Sequence, residues 1–249
     1  MLRNSLNGVF SVYKPKGLNS RKATDYVQLA LSNELLGRTS SKLKRNELIK
    51  IGHGGTLDPL AEGVLVLGVG SGCKQLSNYL KCNKEYIVTA KLGQSTDTFD
   101  SEGKVINQGN IDHLTADLVE ETLRAFKGTI SQTPPIYSAL RMNGKRLYDY
   151  ARDNIPLPKP IQPRTVLIEE IELVNFSGDM CSFRVQCGGG TYMRSLVHDM
   201  AISMDTFGHM TGLQRTRQGV FNLNNSLLLN EEEITVPNVE SKIKQFEVI

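Results

Sequence analysis

The chain of 249 residues has no tryptophan and only eight Tyr and eight Phe, so its core has to be built mainly from aliphatic side chains. Cysteine is scarce: Cys73, Cys82, Cys181 and Cys187 are the only four. None stands at Cys-x-x-Cys spacing and no His-rich tract lies beside them, which speaks against a metal site. Cys181, Phe183, Val185 and Cys187 alternate with polar residues, which puts both cysteines on one strand face about 20 Å apart, too far to bond to each other. Long apolar runs are also missing. No stretch approaches the roughly 18 residues needed to cross a membrane, and the opening MLRNSLNGVFSVYKPKG shows neither an apolar core nor a cleavage-site pattern. These absences lead us to expect a soluble intracellular protein with no membrane attachment, its compartment (nucleus, mitochondrion or cytoplasm) left open. Net charge is small, 29 basic against 26 acidic residues for +3, and a total of that size names no partner, because a patch binds and a total does not. The distribution says more. Residues 38–50, RTSSKLKRNELIK, set Arg38, Lys42, Lys44, Arg45 and Lys50 against Glu47 alone, and read either as a solvated basic loop or as a phosphate-contacting segment.

Residues 8–14, GVFSVYK, read as a strand closed by Pro15 and Gly17, after which Ser20 is a candidate cap for a helix with Ala23, Val27, Ala30 and Leu31 on its apolar face. The run VLVLGVG (64–70) has the composition of a buried strand and is followed by a short helix, SGCKQLSNYL. KEYIVTAKLG is another strand and DTFDSEGKV a polar loop. Thr115 caps a helix with Val119, Leu123 and Phe126 at helical spacing and Gly128 as its stop. Residues 132–164 gather six of the nine prolines and six Lys or Arg, with too little apolar content for a core layer, so they are expected to form a projecting, irregular arm. Two strands, VLIEEIELVNF and CSFRVQC, then lead through GGG into a helix from Thr191 to Met204. There is no internal repeat and no βαβ regularity, which favours a single α+β domain over 1–249 with a mostly antiparallel sheet and flanking helices.

Three motifs carry candidate chemistry. LGVGSGCK resembles a phosphate loop until its spacing is checked: Cys73 stands where a dinucleotide fingerprint needs Gly or Ala, and Gly-Lys-Ser/Thr is absent. In GHGGTLDPLAEG, Pro59 holds Asp58 extended or turned, while Gly52, Gly54 and Gly55 let the backbone approach something closely. By itself the pattern fits an Asx-turn as well as a reactive carboxylate. In GGGTYMRSLVHDM, Met193, Leu196, Val197, Met200, Ala201 and Met204 form an apolar stripe with Arg194 at its edge. There an arginine either snorkels to the surface or presents its guanidinium at the core boundary.

Taken together in this order, KPKGLNS (14–20), GHGGTLDPLAEGVLVLGVGSGCK (52–74), KEYIVTAKLGQSTDTFDSEG (84–103), QTPPIYSALRMNGKRLYDYAR (132–152) and GGGTYMRSLVHDM (188–200) resemble the TruB family of tRNA pseudouridine synthases. GHGGTLDP is similar to the eukaryotic, yeast-type branch that modifies uridine 55 of the T-arm. The resemblance implies a pseudouridine synthase fold with an inserted thumb at 132–164, and a reaction that detaches uracil, rotates it and rejoins it through carbon without a cofactor. It implies Asp58 as nucleophile, Arg194 as the basic partner that holds the carboxylate, and Tyr86 as the residue that stacks on the flipped uracil and takes part in removing the C5 proton. It also implies that His53 helps open the T-loop, that Tyr192 and Leu213 contact substrate, and that Lys14 lies under the active site. Arg215 and Arg217 are left to meet phosphates, since Gln214 stands where many relatives have Arg. The partner implied is the T-arm stem-loop of tRNA, with messenger RNA left open as a second substrate and a monomer expected. The 28 residues after Phe221 are too few for the C-terminal RNA-binding (PUA) domain of bacterial members. A non-catalytic tRNA-folding chaperone and an RNA-guided synthase of the dyskerin type are the competing readings.

Overall fold

The computed structural model describes residues 6–246, with side chains through Ile243. The chain divides into two compact units, one formed by Met1–Tyr86 with Gln214–Ile249 and the other by Ile87–Leu213. In chain order the first unit supplies β1 (Gly8–Lys14), α1 (Ser20–Leu36), β2 (Ile51–His53), β3 (Ala61–Val69), α2 (Leu76–Lys81) and the start of β4 (Lys84–Leu92). The second unit continues with β5 (Gln94–Thr96), β6 (Val105–Gln108), α3 (Ala116–Ala125), β7 (Gly128–Gln132), β8 (Arg141–Met142), β9 (Lys145–Arg146) and α4 (Leu147–Arg152). It is completed by β10 (Arg164–Ser177), β11 (Met180–Cys187), α5 (Met193–Ser203) and the start of β12 (Gly208–Gln218). The first unit ends with the rest of β12, then β13 (Phe221–Asn222), β14 (Leu227–Leu228) and α6 (Val236–Phe246).

In the first unit the strands run in the order β14, β1, β3, β12. β1 and β3 pair antiparallel from Gly8↔Val69 to Lys14↔Gly63, and β14 joins β1 in parallel. Both central strands are buried on both faces, which is why their sequences are nearly continuous apolar runs and not alternations. Helix α1 buries Ala23, Val27 and Leu31 and ends at Gly37, whose left-handed backbone lets its N–H reach the Asn33 and Glu34 carbonyls. Its cap is Asn19, whose side chain accepts from the Lys22 N–H, and not Ser20 as the sequence suggests. Ser20 is the first helical residue and its hydroxyl is used elsewhere. The single short helix expected after β3 is a 3₁₀ turn, Gly70–Lys74, followed by α2.

In the second unit the order is β12, β4, β11, β10, β7, with β10 antiparallel to both β11 and β7. β11 alternates as expected: Cys181, Phe183, Val185 and Cys187 are buried and their neighbours are not. All four cysteines are free. Thr115 caps α3 by accepting from the Leu118 N–H, although the helix ends at Ala125, short of Gly128. The arm over 132–164 is more ordered than its sequence suggests. A β8–β9 hairpin and α4 enclose a small core of their own, Met142, Leu147 and Tyr150, with Leu140, Leu157 and Ile161 packed against it. The expected α+β class with mostly antiparallel sheet therefore holds in each unit.

Candidate active site

Asp58 stands on the loop between β2 and β3, and the local sequence explains its shape. Asp-Pro is the preferred opening of a β-turn, and here the Asp58 carbonyl accepts from the Ala61 N–H at 3.0 Å. Every residue before and after is tied down. The Gly54 N–H donates to Val66 O (2.8 Å) and its carbonyl accepts from Gln218 Nε2 (2.7 Å). The carbonyls of Gly55 and Thr56 accept from Arg215 Nη2 (3.2 Å) and Nη1 (3.5 Å), while Arg215 Nε donates to Val64 O (2.7 Å). The main chain of Leu57 is held by Ser20, and the Pro59 carbonyl by the Gly17 N–H (2.8 Å). The glycines of the motif make this possible. A Cβ at Gly54 would lie 2.8 Å from Tyr79 Cβ, and one at Gly63 would collide with the Arg215 main chain. What the backbone approaches closely is thus the protein's own scaffold.

Two cations and a histidine of the same unit bear on this loop. Lys14 is fully buried on β1, its Nζ donating to the carbonyls of Pro15 and Leu18. Burial pushes its pKa down from 10.5 to about 8, the Asp58 carboxylate pulls it back up, and Arg215 lowers it again. Arg215 is 1% exposed, with its guanidinium spent on three main-chain carbonyls. The phosphate contact expected of it is replaced by a role inside the loop's support. His53 on β2 is depressed below its ordinary pKa by burial first and by Arg215 and Arg21 next, so at neutral pH it is an uncharged imidazole, with Nδ1 buried and unpaired. Tyr86 on β4 is 7% exposed.

In the second unit Arg194 lies on the first turn of α5, 5% exposed. It does not snorkel: Nη2 donates to Tyr137 O (2.9 Å), Nη1 to Thr98 O (3.2 Å), and Nη1 stands 3.6 Å from the Asp100 carboxylate. Asp100 is itself buried and accepts from Thr98 Oγ1 (2.6 Å) and the Glu102 N–H (3.0 Å). The residue between them, Phe99, has a left-handed backbone (φ 62°) and stacks its ring on His198 at 4.1 Å, the kind of strain that collects at functional loops. Sequence reasoning missed Asp100. Its signal was a second aspartate in TDTFDSEG, a loop whose polarity looked like ordinary solvation. Tyr192 sits just before α5, its N–H and carbonyl both clasped by the Gln132 side chain (2.8 and 3.1 Å), with the Arg164 guanidinium 4.9 Å over its ring. Leu213 is half-buried on β12. Lys14, His53, Asp58, Tyr86 and Arg215 thus belong to the first unit, and Tyr192, Arg194 and Leu213 to the second. Among the described residues no cluster of His, Cys, Asp or Glu is placed to hold a metal ion.

Residues 41–193, more than half of the chain, match the family model described as TruB family pseudouridylate synthase (N terminal domain). The chain belongs to the TruB family. It is 38% identical to pseudouridylate synthase TRUB1 of Mus musculus over 244 residues, 97% of this chain and 71% of that protein. It is 46% identical to tRNA pseudouridine synthase 4 of Schizosaccharomyces pombe over 183 residues, 68% of this chain and 45% of that protein. Among solved structures, a Cbf5–Nop10–Gar1 complex superposes with a TM-score of 0.63 at 25% identity, covering all of this chain and 57% of the solved one. An H/ACA ribonucleoprotein bound to a substrate RNA shares the fold at a TM-score of 0.62 and 24% identity, over 91% of this chain and 52% of that one. The TruB-family chain thus spans just over half of those solved chains. Its matched segment takes in Asp58, Tyr86, Asp100, Tyr192 and the arm, and stops one residue short of Arg194.

Proposed function

We propose that this TruB-family chain isomerises uridine to pseudouridine in tRNA, and that its target is position 55 in the T-arm. The pinned loop around Asp58 is the observation that carries the reading: a main chain tied at each residue from Gly54 to Pro59 fixes one carboxylate for a reaction in which it must attack at a set position. In this reading the Asp58 carboxylate bonds to the sugar C1′ as the N1–C1′ glycosidic bond breaks, the freed uracil anion turns, its C5 attacks C1′ and releases the carboxylate, and the C5 proton leaves while N1 gains one. Tyr86 stacks on the base and its hydroxyl assists that proton transfer. Arg194 is the basic partner of the Asp58 carboxylate, and the buried Asp100 with the Thr98 and Tyr137 carbonyls keeps its fork oriented. His53, uncharged, suits contact with an unstacked base better than with a phosphate. Tyr192 and Leu213 complete the substrate contacts, and the reaction requires no cofactor. The greater identity to relatives named for tRNA or pseudouridylate synthesis (38–46%) than to the Cbf5 structure (25%) favours tRNA over a guide-RNA assembly. We read the enzyme as a monomer acting inside the cell, with the arm and residues 38–50 following the RNA backbone.

The test is tritium release from a tRNA transcript labelled at uracil C5, with the modified site mapped by primer-extension block. Release from position 55 is expected from both whole tRNA and an isolated T-arm stem-loop. Release confined to another uridine would remove the T-arm assignment, and no release at all would favour the chaperone reading.

A further inference from the structure

We propose that Ser20 is a positioning residue for Asp58. Its hydroxyl both donates to the Leu57 carbonyl at 2.9 Å and accepts from the Leu57 N–H at 2.8 Å. One oxygen therefore satisfies both main-chain polar groups of the residue before the aspartate, from 37 positions away in sequence. A hydroxyl suits this because it carries one donor and two acceptor lone pairs on a single atom. Ser20 is 2% exposed, so both bonds are shielded from solvent. The hydroxyl is free for the task because Asn19 has taken over capping the helix. Its mount is rigid: Ser20 opens the 17-residue helix α1, and its own carbonyl accepts from Thr24 Oγ1 at 2.8 Å. Three residues earlier, the Gly17 N–H holds the Pro59 carbonyl. The turn between β1 and α1 thus grips the chain on both sides of Asp58, while within this loop Arg215 and Gln218 hold the carbonyls of Gly54, Gly55 and Thr56, all before it. This gives KPKGLNS a purpose apart from the lysine: Gly17 and Ser20 set where the carboxylate stands relative to Lys14.

The proposal rests on Asp58 being the nucleophile, so its test has one readout that needs no RNA. In the full-length protein, Ser20→Ala is compared with wild type, Ser20→Thr and Ser20→Cys for single-turnover isomerisation of a labelled tRNA transcript, transcript affinity by filter binding, melting temperature, and the Lys14 pKa by NMR of labelled lysine. We expect Ser20→Ala, well below its melting temperature, to lose about 30-fold or more in rate with affinity within about threefold, and Ser20→Thr to recover most of the loss. The Lys14 pKa should fall below its value in wild type, because the Asp58 carboxylate that raises it has moved. If Ser20→Ala melts below the assay temperature, Ser20→Cys, similar in bulk but a weak hydrogen bonder, carries the same comparison. A folded Ala or Cys variant with wild-type rate and an unchanged Lys14 pKa overturns the proposal, as does a rate loss matched by equal loss of affinity. A displaced Lys14 titration in a protein that modifies no T-arm would support Ser20 and remove the functional reading instead.

Discussion

The loop at 54–59 and the arm at 132–164 are both irregular, Pro-bearing segments, yet they are held in opposite ways. The loop buries one apolar side chain, Leu57, and is otherwise fixed by hydrogen bonds donated from α1, β12 and the turn after β1. The arm carries its own apolar core and keeps its cations at the outside, Arg146 and Arg152 both lying against Tyr148 (5.5 and 5.0 Å) and Lys145 over Tyr150 (5.2 Å). Its root alone is tied to α5, through Gln132, Thr133 and Tyr137. A reaction that needs one atom in one place calls for the first kind of support. A surface that follows a charged polymer works with the second, since phosphate contacts orient a substrate without reading its sequence.

That contrast is open to attack from both sides. Asp58→Asn should cut isomerisation by about 10³-fold or more with RNA affinity within about threefold, because in the proposed reaction the carboxylate is a reactant; measurable turnover by the purified variant would strip the loop of its purpose. Arg215→Met should unfold the first unit more readily, by about 3 kcal/mol in denaturant titration, since it strands three carbonyls. Arg215→Lys should recover only part of this, because an ammonium lacks the planar fork. If Met and wild type unfold alike, the loop is not held as described. Tyr86→Phe should retain affinity and lose about tenfold or more in rate, whereas Tyr86→Ala should lose both; equal behaviour would leave the hydroxyl without a role. On the other side of the comparison, Arg146→Ala with Arg152→Ala, and separately Lys42, Lys44 and Arg45→Ala, should weaken cognate and non-cognate RNA alike. Each lost contact should flatten log affinity against log salt by about 0.7 to 0.9, and an unchanged slope for residues 38–50 would return them to a solvated loop.

The smallest expected effect is a pH dependence. Lys14 titrates near 8 when folded and at 10.5 when unfolded, so between these values the unfolded chain binds the extra proton and stability rises with pH. Below about pH 8 both states are protonated and the burial cost is fully present. The stability of wild type relative to Lys14→Met should therefore be flat below pH 8 and move in favour of wild type above it. A difference that stays flat to pH 10 would mean that Lys14 is not buried as a cation.

Much of this was legible in the sequence where one residue type had one physical use. The β1 and β3 runs, the Thr115 cap and the alternating cysteines fall where the pattern puts them. Legibility failed where two neighbours were equally suited, as with Asn19 and Ser20 for one cap. It failed again where the decisive partner was distant. An arginine in TGLQRTR reads as surface until Gly63 makes room for its main chain and three carbonyls converge on its fork. Asp100 was hidden for the same reason, since nothing near it in sequence announces Arg194. The arm's core was missed because its six apolar residues are spread over 22 positions with no single period.

The division of the chain has a consequence for its biogenesis. The second unit is one uninterrupted stretch, Ile87–Leu213, whereas the first is split around it. On the ribosome the second unit is complete before Arg215 and Gln218 exist. Arg215 lies 160 positions after Gly55, whose carbonyl it holds. The nascent chain therefore makes Asp58 well before the groups that secure its loop, and the holds on the Gly54, Gly55 and Thr56 carbonyls form only after the whole of the second unit has been synthesised.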